Sequence, residues 1–167
     1  MKLHRQKGVA AVELALIMVP MLVLCFGIVE VGRALNYYNG LVKATRGAAR
    51  YLTAKDLNSL VSGMEYNYDI SNSNDPYFVV RDAMELAVCG KLPDKAKAAC
   101  AESDRLVLGF SESRMTVKTN NNVVTEAGSV SLVTVTISGV SFTSFLPYAI
   151  ASFTYSPIKL TMAWSVT

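Results

Sequence analysis

A long apolar run near the start of the chain constrains its fold more than any other feature. From Gly8 to Val29 the 167-residue sequence contains a single charged side chain, Glu13. As an α-helix, these 22 residues would span about 33 Å, close to the hydrocarbon thickness of a bilayer. We therefore predict that residues 9–29 form a transmembrane segment.

The helical pattern continues beyond the apolar run. We predict one helix over residues 9–55, with its first half in the membrane and its second half covering one face of a sheet. Pro20 should kink this helix. The basis is a stripe of apolar or small residues at alternating spacings of three and four: Ile28, Val31, Leu35, Tyr38, Val42, Thr45, Ala49 and Leu52.

The remaining residues, 56–167, are predicted to form one extracytoplasmic domain. A short helix should begin near Asp75 and Pro76, which suit the N-cap and the first helical position, and end at Gly90. Three later segments alternate with period two and predict antiparallel strands: RMTVKT, SVSLVTVTIS and PIKLTMAWSV. Turns are expected at NNN and EAGS, and loops before Asp75 and over 139–156. The predicted fold class is therefore α+β.

The net charge of +3 is concentrated at the start of the chain. Lys2, Arg5 and Lys7 all precede Gly8, and subtracting these three from 16 basic residues leaves 13, against 13 acidic residues. No later cluster of basic residues matches a nucleic-acid footprint, so no nucleic-acid partner is expected. The basic start is typical of a segment that stays in the cytoplasm.

Two of the three cysteines, Cys89 and Cys100, bracket a short loop outside the predicted membrane segment. In an oxidising compartment we expect them to form a disulfide, which would stabilise the domain by about 3 kcal/mol. A zinc site is the alternative, but two cysteines without a histidine make a poor ligand set. Cys25 is expected to be a packing residue within the membrane.

The position of Glu13 is costly, because a carboxylate near hydrocarbon costs about 2–3 kcal/mol even on lenient insertion scales. A plain signal-anchor would let Glu13 reach the interface, and a removable secretory signal would be cut near Gly32 and Ala34. A third interpretation is cleavage after Gly8, which would give Val9 a positive amine one helical turn from Glu13. That amine, on the same chain or a neighbouring one, would pair with the carboxylate and set the register of an assembly. The third interpretation accounts best for the charge.

The residues around these positions resemble a known family. Gly8 followed by four residues and Glu13 resembles the prepilin-peptidase signal of type IV pilins and their relatives. More specifically, residues 8–52 are similar to the N-terminal region of TadE-like pseudopilins of the Tad (tight adherence) system. After the initial G-x-x-A-V-E block, the matching positions form two further blocks: Gly27, Glu30, Gly32, Arg33 and Ala34, then Arg46, Ala48, Ala49, Arg50 and Tyr51.

The resemblance implies a pseudopilin, or minor pilin, that assists assembly or initiation of a Tad (Flp-type) type IV pilus in adhesion, biofilm formation or secretion. It implies a cytoplasmic leader over residues 1–8, cut by a prepilin peptidase between Gly8 and Val9. Glu13 would act in assembly and register, and helix packing would involve Gly27, Glu30, Gly32 and Arg33.

Expected partners are the major Flp pilin, other pseudopilins and the pilus platform proteins of the bacterial inner membrane. The chain would cross that membrane once, with a cytoplasmic N-terminus and a periplasmic C-terminal domain, and could enter an extracellular pilus.

No catalytic arrangement is expected in the cleaved chain. His4 is the only histidine and lies in the leader, which excludes Ser-His-Asp and Cys-His chemistry. The closely spaced Glu102, Asp104 and Glu112 are expected to be a solvated face rather than an acid pair for glycoside chemistry. No glycine-rich phosphate loop is present, and neither a cofactor nor a metal is expected.

Aromatic residues of the late connection are expected to form core beneath a loop rather than a binding surface: Phe142, Phe145, Tyr148, Phe153 and Tyr155. The alternative function is a membrane-tethered periplasmic binding module with a plain signal-anchor helix. A tether needs neither the heptad stripe nor the charge at Glu13, so the sequence favours the pseudopilin.

Overall fold

The computed structural model describes residues 4–57, 60–68, 77–92, 101–126, 128–145 and 150–164, with side chains from Gly8 onward. The chain divides into two compact units. We call them the helical unit, Met1–Asn36 with Phe142–Phe153, and the sheet unit, Tyr37–Ser141 with Thr154–Thr167. The first helix supplies residues to both.

Helix α1 runs from His4 to Thr53 and contains Pro20. The predicted long helix is therefore confirmed, although the structure ends it two residues before the predicted boundary at 55. The predicted heptad stripe is buried at Thr45, Ala49 and Leu52. Its first four members are exposed within the described chain, so packing of these residues against another helix stays a prediction: Ile28, Val31, Leu35 and Tyr38.

The sheet unit is built on a four-stranded antiparallel sheet with the order β1-β2-β3-β6. Strand β1 is Glu65–Asn67, β2 is Met115–Thr125, β3 is Gly128–Ile137 and β6 is Ile158–Trp164. Two short strands, β4 (Ser141–Phe142) and β5 (Phe153–Thr154), pair separately. The three long strands lie where the period-two pattern predicted them, and the expected α+β class is confirmed.

One face of this sheet is covered by helices. Alternate residues of β2 and β3 are buried, and Val117 lies opposite Val135 in the register. They belong to a single apolar cluster with the second half of α1 and with the second helix, α2 (Tyr77–Cys89). Residues of α1 in the cluster have helical spacing: Leu41, Ala44, Ala48, Ala49 and Leu52.

Helix α2 ends as the sequence predicts. Gly90 has a φ of +69°, a left-handed conformation that glycine adopts without strain, and its N–H donates to the Leu86 carbonyl oxygen at 2.8 Å. The proposed N-cap at Asp75 and Pro76 lies outside the described residues.

Three predictions about loops are wrong. The predicted loop over 139–156 contains the paired strands β4 and β5, which are too short to show a period-two pattern. The segment before Asp75 contains strand β1, whose three residues pair with β2 through Glu65–Lys118 to Asn67–Thr116. The triplet Asn120–Asn122 is not a turn, because it lies within β2, where the register with β3 shifts at a bulge. Asn122 absorbs the irregularity with a φ of 55°. Of the predicted turn EAGS, Glu126 lies in a turn after β2, Gly128 and Ser129 belong to β3, and Ala127 lies outside the described residues.

Candidate functional site

The first half of α1 is an exposed apolar surface. Of the helices that the structure describes, α1 alone is long and apolar enough to cross a membrane, with a mean hydropathy of 2.6 in its most apolar window and none of that window buried. Leu16 is 71% exposed and Leu24 is 69% exposed. Side chains this apolar are unsuited to water, so the segment is compatible with a membrane anchor.

Glu13 lies on this surface among Gly8, Val9, Val12 and Leu16. The carboxylate is exposed, and no hydrogen bond or ion pair links it to any side chain that the structure describes from residue 8 onward. Its neighbours at positions i−4, i−1 and i+3 are all aliphatic. Inside this apolar segment, its charge therefore has to find a partner outside the described contacts or to reach the interface.

At the end of the apolar segment, the buried carboxylate of Glu30 forms an ion pair with Arg33, whose side chain is partly exposed. Glu30 is only 4% exposed. Arg33 Nε donates to Glu30 Oε2 at 3.0 Å, and Arg33 Nη2 donates to Oε1 at 2.8 Å. This is a bidentate, charge-assisted arrangement, the strongest kind of side-chain hydrogen bonding.

The same ion pair also holds a distant loop of the helical unit. Arg33 Nη2 donates to the Thr143 carbonyl oxygen at 2.6 Å, and the Phe145 N–H donates to Glu30 Oε1 at 2.7 Å. The Arg33 guanidinium carbon lies 4.4 Å from the ring centroid of Phe142 and 4.0 Å from that of Phe145, within cation–π range. We call Glu30, Arg33 and residues 142–145 the Glu30–Arg33 clamp.

The sequence assigned Glu30 and Arg33 to packing between helices, and that role stays a prediction. What sequence reasoning missed is their partner within the chain. Two of the bonds are made to main-chain groups of Thr143 and Phe145, which any residue type provides, so no motif marks them. The one available signal was the pair itself, since a glutamate three residues before an arginine can close on the same helix face.

The aromatic residues of this region divide between core and surface. Phe142 is buried and packs against Phe153 with ring centroids 5.4 Å apart, and Tyr155 packs against the core of the sheet unit. Phe145, by contrast, is 78% exposed. The expectation of core is therefore right for Phe142 and Tyr155 and wrong for Phe145 and for Phe153, which is 42% exposed, while Tyr148 lies outside the described residues.

The glycines predicted to pack helices have open surroundings. A Cβ atom built on Gly27 or Gly32 would meet no atom within 4 Å, leaving aside the backbone of the helix itself. Nothing within the described chain therefore requires glycine there, and packing against another helix stays a prediction. Cys25 is a free, exposed thiol on the same segment. Cys89 is not a free thiol, and because Cys100 lies outside the described residues, their pairing stays a prediction.

The acidic residues do not form a catalytic pair. Glu102 and Asp104 are exposed, as expected of a solvated face. Glu112 is buried instead, with Oε1 making no hydrogen bond to the described residues, so the expectation for it is wrong. Burial here comes from tertiary packing of a short 3₁₀ turn, Glu112–Arg114, which local spacing does not reveal. Within the described residues, no group of acidic, histidine or cysteine side chains could hold a metal.

A second buried carboxylate lies in the sheet unit. The Tyr68 hydroxyl donates to Glu85 Oε1 at 3.1 Å, and Arg81 Nε lies 3.8 Å from the same oxygen. Burial raises the pKa of Glu85 above its usual range. Burial together with the Glu85 charge raises the pKa of Tyr68 to about 12. Tyr68 therefore stays a neutral hydrogen-bond donor at physiological pH.

Comparison with known proteins gives one match. The family model described as TadE-like protein matches residues 8–50, a segment that includes the exposed apolar surface and both charged members of the clamp. No curated protein and no solved structure matches the chain. Residues 8–50 are thus similar to TadE-like proteins, and the resemblance seen in the motifs of this segment is confirmed.

Proposed function

We propose that this chain is a pseudopilin, or minor pilin, that assists assembly or initiation of a Tad (Flp-type) pilus used in adhesion, biofilm formation or secretion. A prepilin peptidase cuts it between Gly8 and Val9 at the cytoplasmic face of the inner membrane. Residues 9–29 then pack against the major Flp pilin and other pseudopilins on the platform proteins of the pilus. Residues 56–167 lie in the periplasm, held together by the core and by a Cys89–Cys100 disulfide.

One observation carries this proposal: a lone carboxylate on an exposed apolar helix, within the segment that matches the family. A plain anchor has no use for Glu13, because replacing it with an apolar residue would remove an insertion cost of about 2–3 kcal/mol. A helix that packs against other helices in the membrane does have a use for it. An ion pair in low dielectric forms at only one register, so it fixes how far one subunit is staggered against the next.

Cleavage after Gly8 supplies the partner. The new α-amine of Val9 is positive at neutral pH, and Val9, Val12 and Leu16 surround Glu13 with aliphatic surface. In an assembled filament that surface would be covered, which lowers the local dielectric and strengthens the pairing. The expected contact is therefore between Glu13 of one subunit and the Val9 amine of its neighbour.

The test is Glu13→Gln in cells that contain the complete pilus system. The amide is cheaper to insert than the carboxylate, so we expect normal insertion and normal cleavage after Gly8. Crosslinking to the major pilin should be lost, because an unpartnered buried ammonium costs about 3–5 kcal/mol per contact, somewhat less near the interface. Pilus numbers should fall accordingly.

One control separates assembly from processing. Gly8→Ala should block cleavage and leave the N-terminus at Met1, whereas Glu13→Gln should be cleaved normally and fail only in assembly. Normal pilus numbers in Glu13→Gln would reject the proposed pairing and favour a membrane-tethered binding module.

A further inference from the structure

The Glu30–Arg33 clamp lies where the apolar segment of α1 ends. With a rise of about 1.5 Å per residue, Glu30 and Arg33 lie about 1.5–6 Å beyond Val29 along the helix axis. The headgroup region on each side of a bilayer is about 5–8 Å deep, half the difference between total and hydrocarbon thickness. When residues 9–29 span the hydrocarbon, the loop held by the clamp is therefore at the depth of the headgroups.

That loop exposes aromatic surface. Phe145 is 78% exposed even though Arg33 covers one face of its ring, and Phe153 is 42% exposed. No charged residue occurs in the sequence between Glu126 and Lys159. An uncharged aromatic surface is poorly matched to a charged partner and well matched to the boundary between headgroups and hydrocarbon.

Three main-chain groups of the loop make their hydrogen bonds within the protein, so they stay satisfied at the boundary between headgroups and hydrocarbon. The Thr143 carbonyl oxygen accepts from Arg33 at 2.6 Å, the Phe145 N–H donates to Glu30 at 2.7 Å, and the Ser144 N–H donates to Ser152 Oγ at 3.2 Å. Main-chain groups near lipid must be satisfied within the protein, because an unsatisfied group there costs several kcal/mol. These three groups have partners within the helical unit.

We propose that the clamped loop, together with Phe153 of β5, which packs against Phe142, is a second contact with the membrane, in which Phe145 and Phe153 rest in the headgroup region of the bilayer that α1 spans. The occupant is lipid because the loop is uncharged and continues the exposed apolar surface that ends at Val29, within one unit. Phe145 makes the contact, and Glu30 and Arg33 position it. The inference rests on the membrane span of the proposed function, but on neither cleavage nor pilus assembly.

The test uses the full chain in phosphatidylcholine vesicles at high dilution, with lipids brominated either near the headgroup or near the chain end. Phe145→Trp places a fluorescent reporter on the loop. The single native tryptophan, Trp164, is buried in the sheet unit and gives the background in the parent chain. Val19→Trp, in the middle of the apolar segment, reports whether that segment is inserted. Phe153→Trp is a second reporter should Phe145→Trp fold poorly.

At residue 145, we expect bromine near the headgroup to quench tryptophan fluorescence at least about twofold more than bromine near the chain end. At residue 19, we expect the opposite order. Adding Arg33→Gln should reduce quenching at residue 145 without changing it at residue 19, because the loop would lose its attachment. That difference distinguishes positioning by the clamp from a general loss of insertion.

Three results would overturn the inference. In the first, bromolipid quenches the reporter at residue 19 but not the one at residue 145, which acrylamide quenches from the water phase. The loop is then in water, and only the membrane span is right. Protection at residue 145 from both bromolipid and acrylamide means that another protein subunit covers it. Absence of quenching at both residues removes the membrane span itself, and the proposed function with it.

Discussion

The two halves of α1 are both apolar, but they differ in what covers their side chains. Residues 9–29 present large aliphatic groups that nothing in the described chain covers, with Leu24 at 69% exposure. Residues 41–52 mix large and small groups, and Leu41 and Leu52 are buried in the core of the sheet unit together with Ala44, Ala48 and Ala49. Against a fixed neighbour, the small groups let its side chains approach closely and the large ones fill the remaining space. Nothing in the described chain sets such a limit on residues 9–29.

The contrast extends to the buried carboxylates. Glu30 in the helical unit receives two hydrogen bonds from Arg33 and one from the Phe145 amide. Glu85 in the sheet unit receives one from Tyr68, while Arg81 remains 3.8 Å away. Burial of a charge is tolerated where its bonds are made and costs free energy where they are incomplete. In the helical unit, the Glu30 carboxylate therefore holds a loop in place. In the sheet unit, the Glu85 carboxylate is buried with fewer hydrogen bonds.

The largest expected difference between the halves comes from removing a leucine from each. Leu52→Ala should reduce the free energy of unfolding of the sheet unit by about 2–5 kcal/mol, because Leu52 is fully buried and leaves a cavity. Leu24→Ala should change it by less than about 0.5 kcal/mol, because Leu24 contacts no core. Denaturant unfolding of the full chain in detergent, followed by Trp164 fluorescence, measures both. Equal effects would mean that the halves are not distinct.

Two glycine substitutions in the second half of α1 are expected to change stability by a smaller amount and can be compared directly. Gly47→Ala should stabilise the sheet unit by up to about 1 kcal/mol, since alanine is the better helix former and the new Cβ meets nothing within 4 Å. At Gly40 the new Cβ would lie 2.7 Å from Val107 Cγ2, so the same gain is offset by a clash. Thermal midpoints of the two variants in detergent test this, and a higher midpoint for Gly40→Ala than for Gly47→Ala would contradict it.

Gly27→Ala and Gly32→Ala test the first half of α1 in the same way. Both positions are open in the single chain, so both variants should insert normally and leave the unfolding of the sheet unit unchanged. If these glycines face another helix, as proposed, the variants should lower crosslinking to the major pilin all the same. Unimpaired crosslinking would show that glycine is unnecessary there.

The smallest effect is expected from Glu85→Gln, and its sign depends on pH. The folded-state pKa of Glu85 is raised by burial, so its contribution to stability is present below the unfolded pKa and is lost as pH rises through the folded pKa. The amide keeps an acceptor for Tyr68 and never ionises. Glu85→Gln should therefore raise the thermal midpoint near about pH 7 and lose that advantage near about pH 4. A pH-independent difference would contradict this account.

Local sequence predicted the elements whose signals are local. The period-two alternation located β2, β3 and β6, and Gly90 marked the end of α2, because these features depend on neighbouring residues. Strand β1 escaped because it has only three residues and exists through its pairing with β2. The asparagine triplet suggested a turn because asparagine tolerates a positive φ, which Asn122 does adopt, but within a bulge rather than a hairpin.

The sequence predicted the residues of the candidate site that lie on α1, but not the loop that they hold. Motifs identified Gly8, Glu13, Glu30 and Arg33 because family signals are residue types at fixed spacing. The loop that Glu30 and Arg33 hold was not predicted, since its contribution consists of main-chain groups and of a phenylalanine with an exposed ring. Residue type gives no indication of which carbonyl or amide an arginine and a glutamate will bind.

The two sides of the Glu30–Arg33 clamp are synthesised at different times. Its two sides are 110 positions apart along the chain at the Arg33–Thr143 bond and 115 at the Phe145–Glu30 bond. Synthesis delivers α1 early and the loop late, after β2 and β3, and contacts of such long separation are the slowest to form. A nascent chain interrupted before Thr143 would lack both main-chain bonds. Closure of the clamp therefore distinguishes a chain synthesised beyond Phe145 from one interrupted before it.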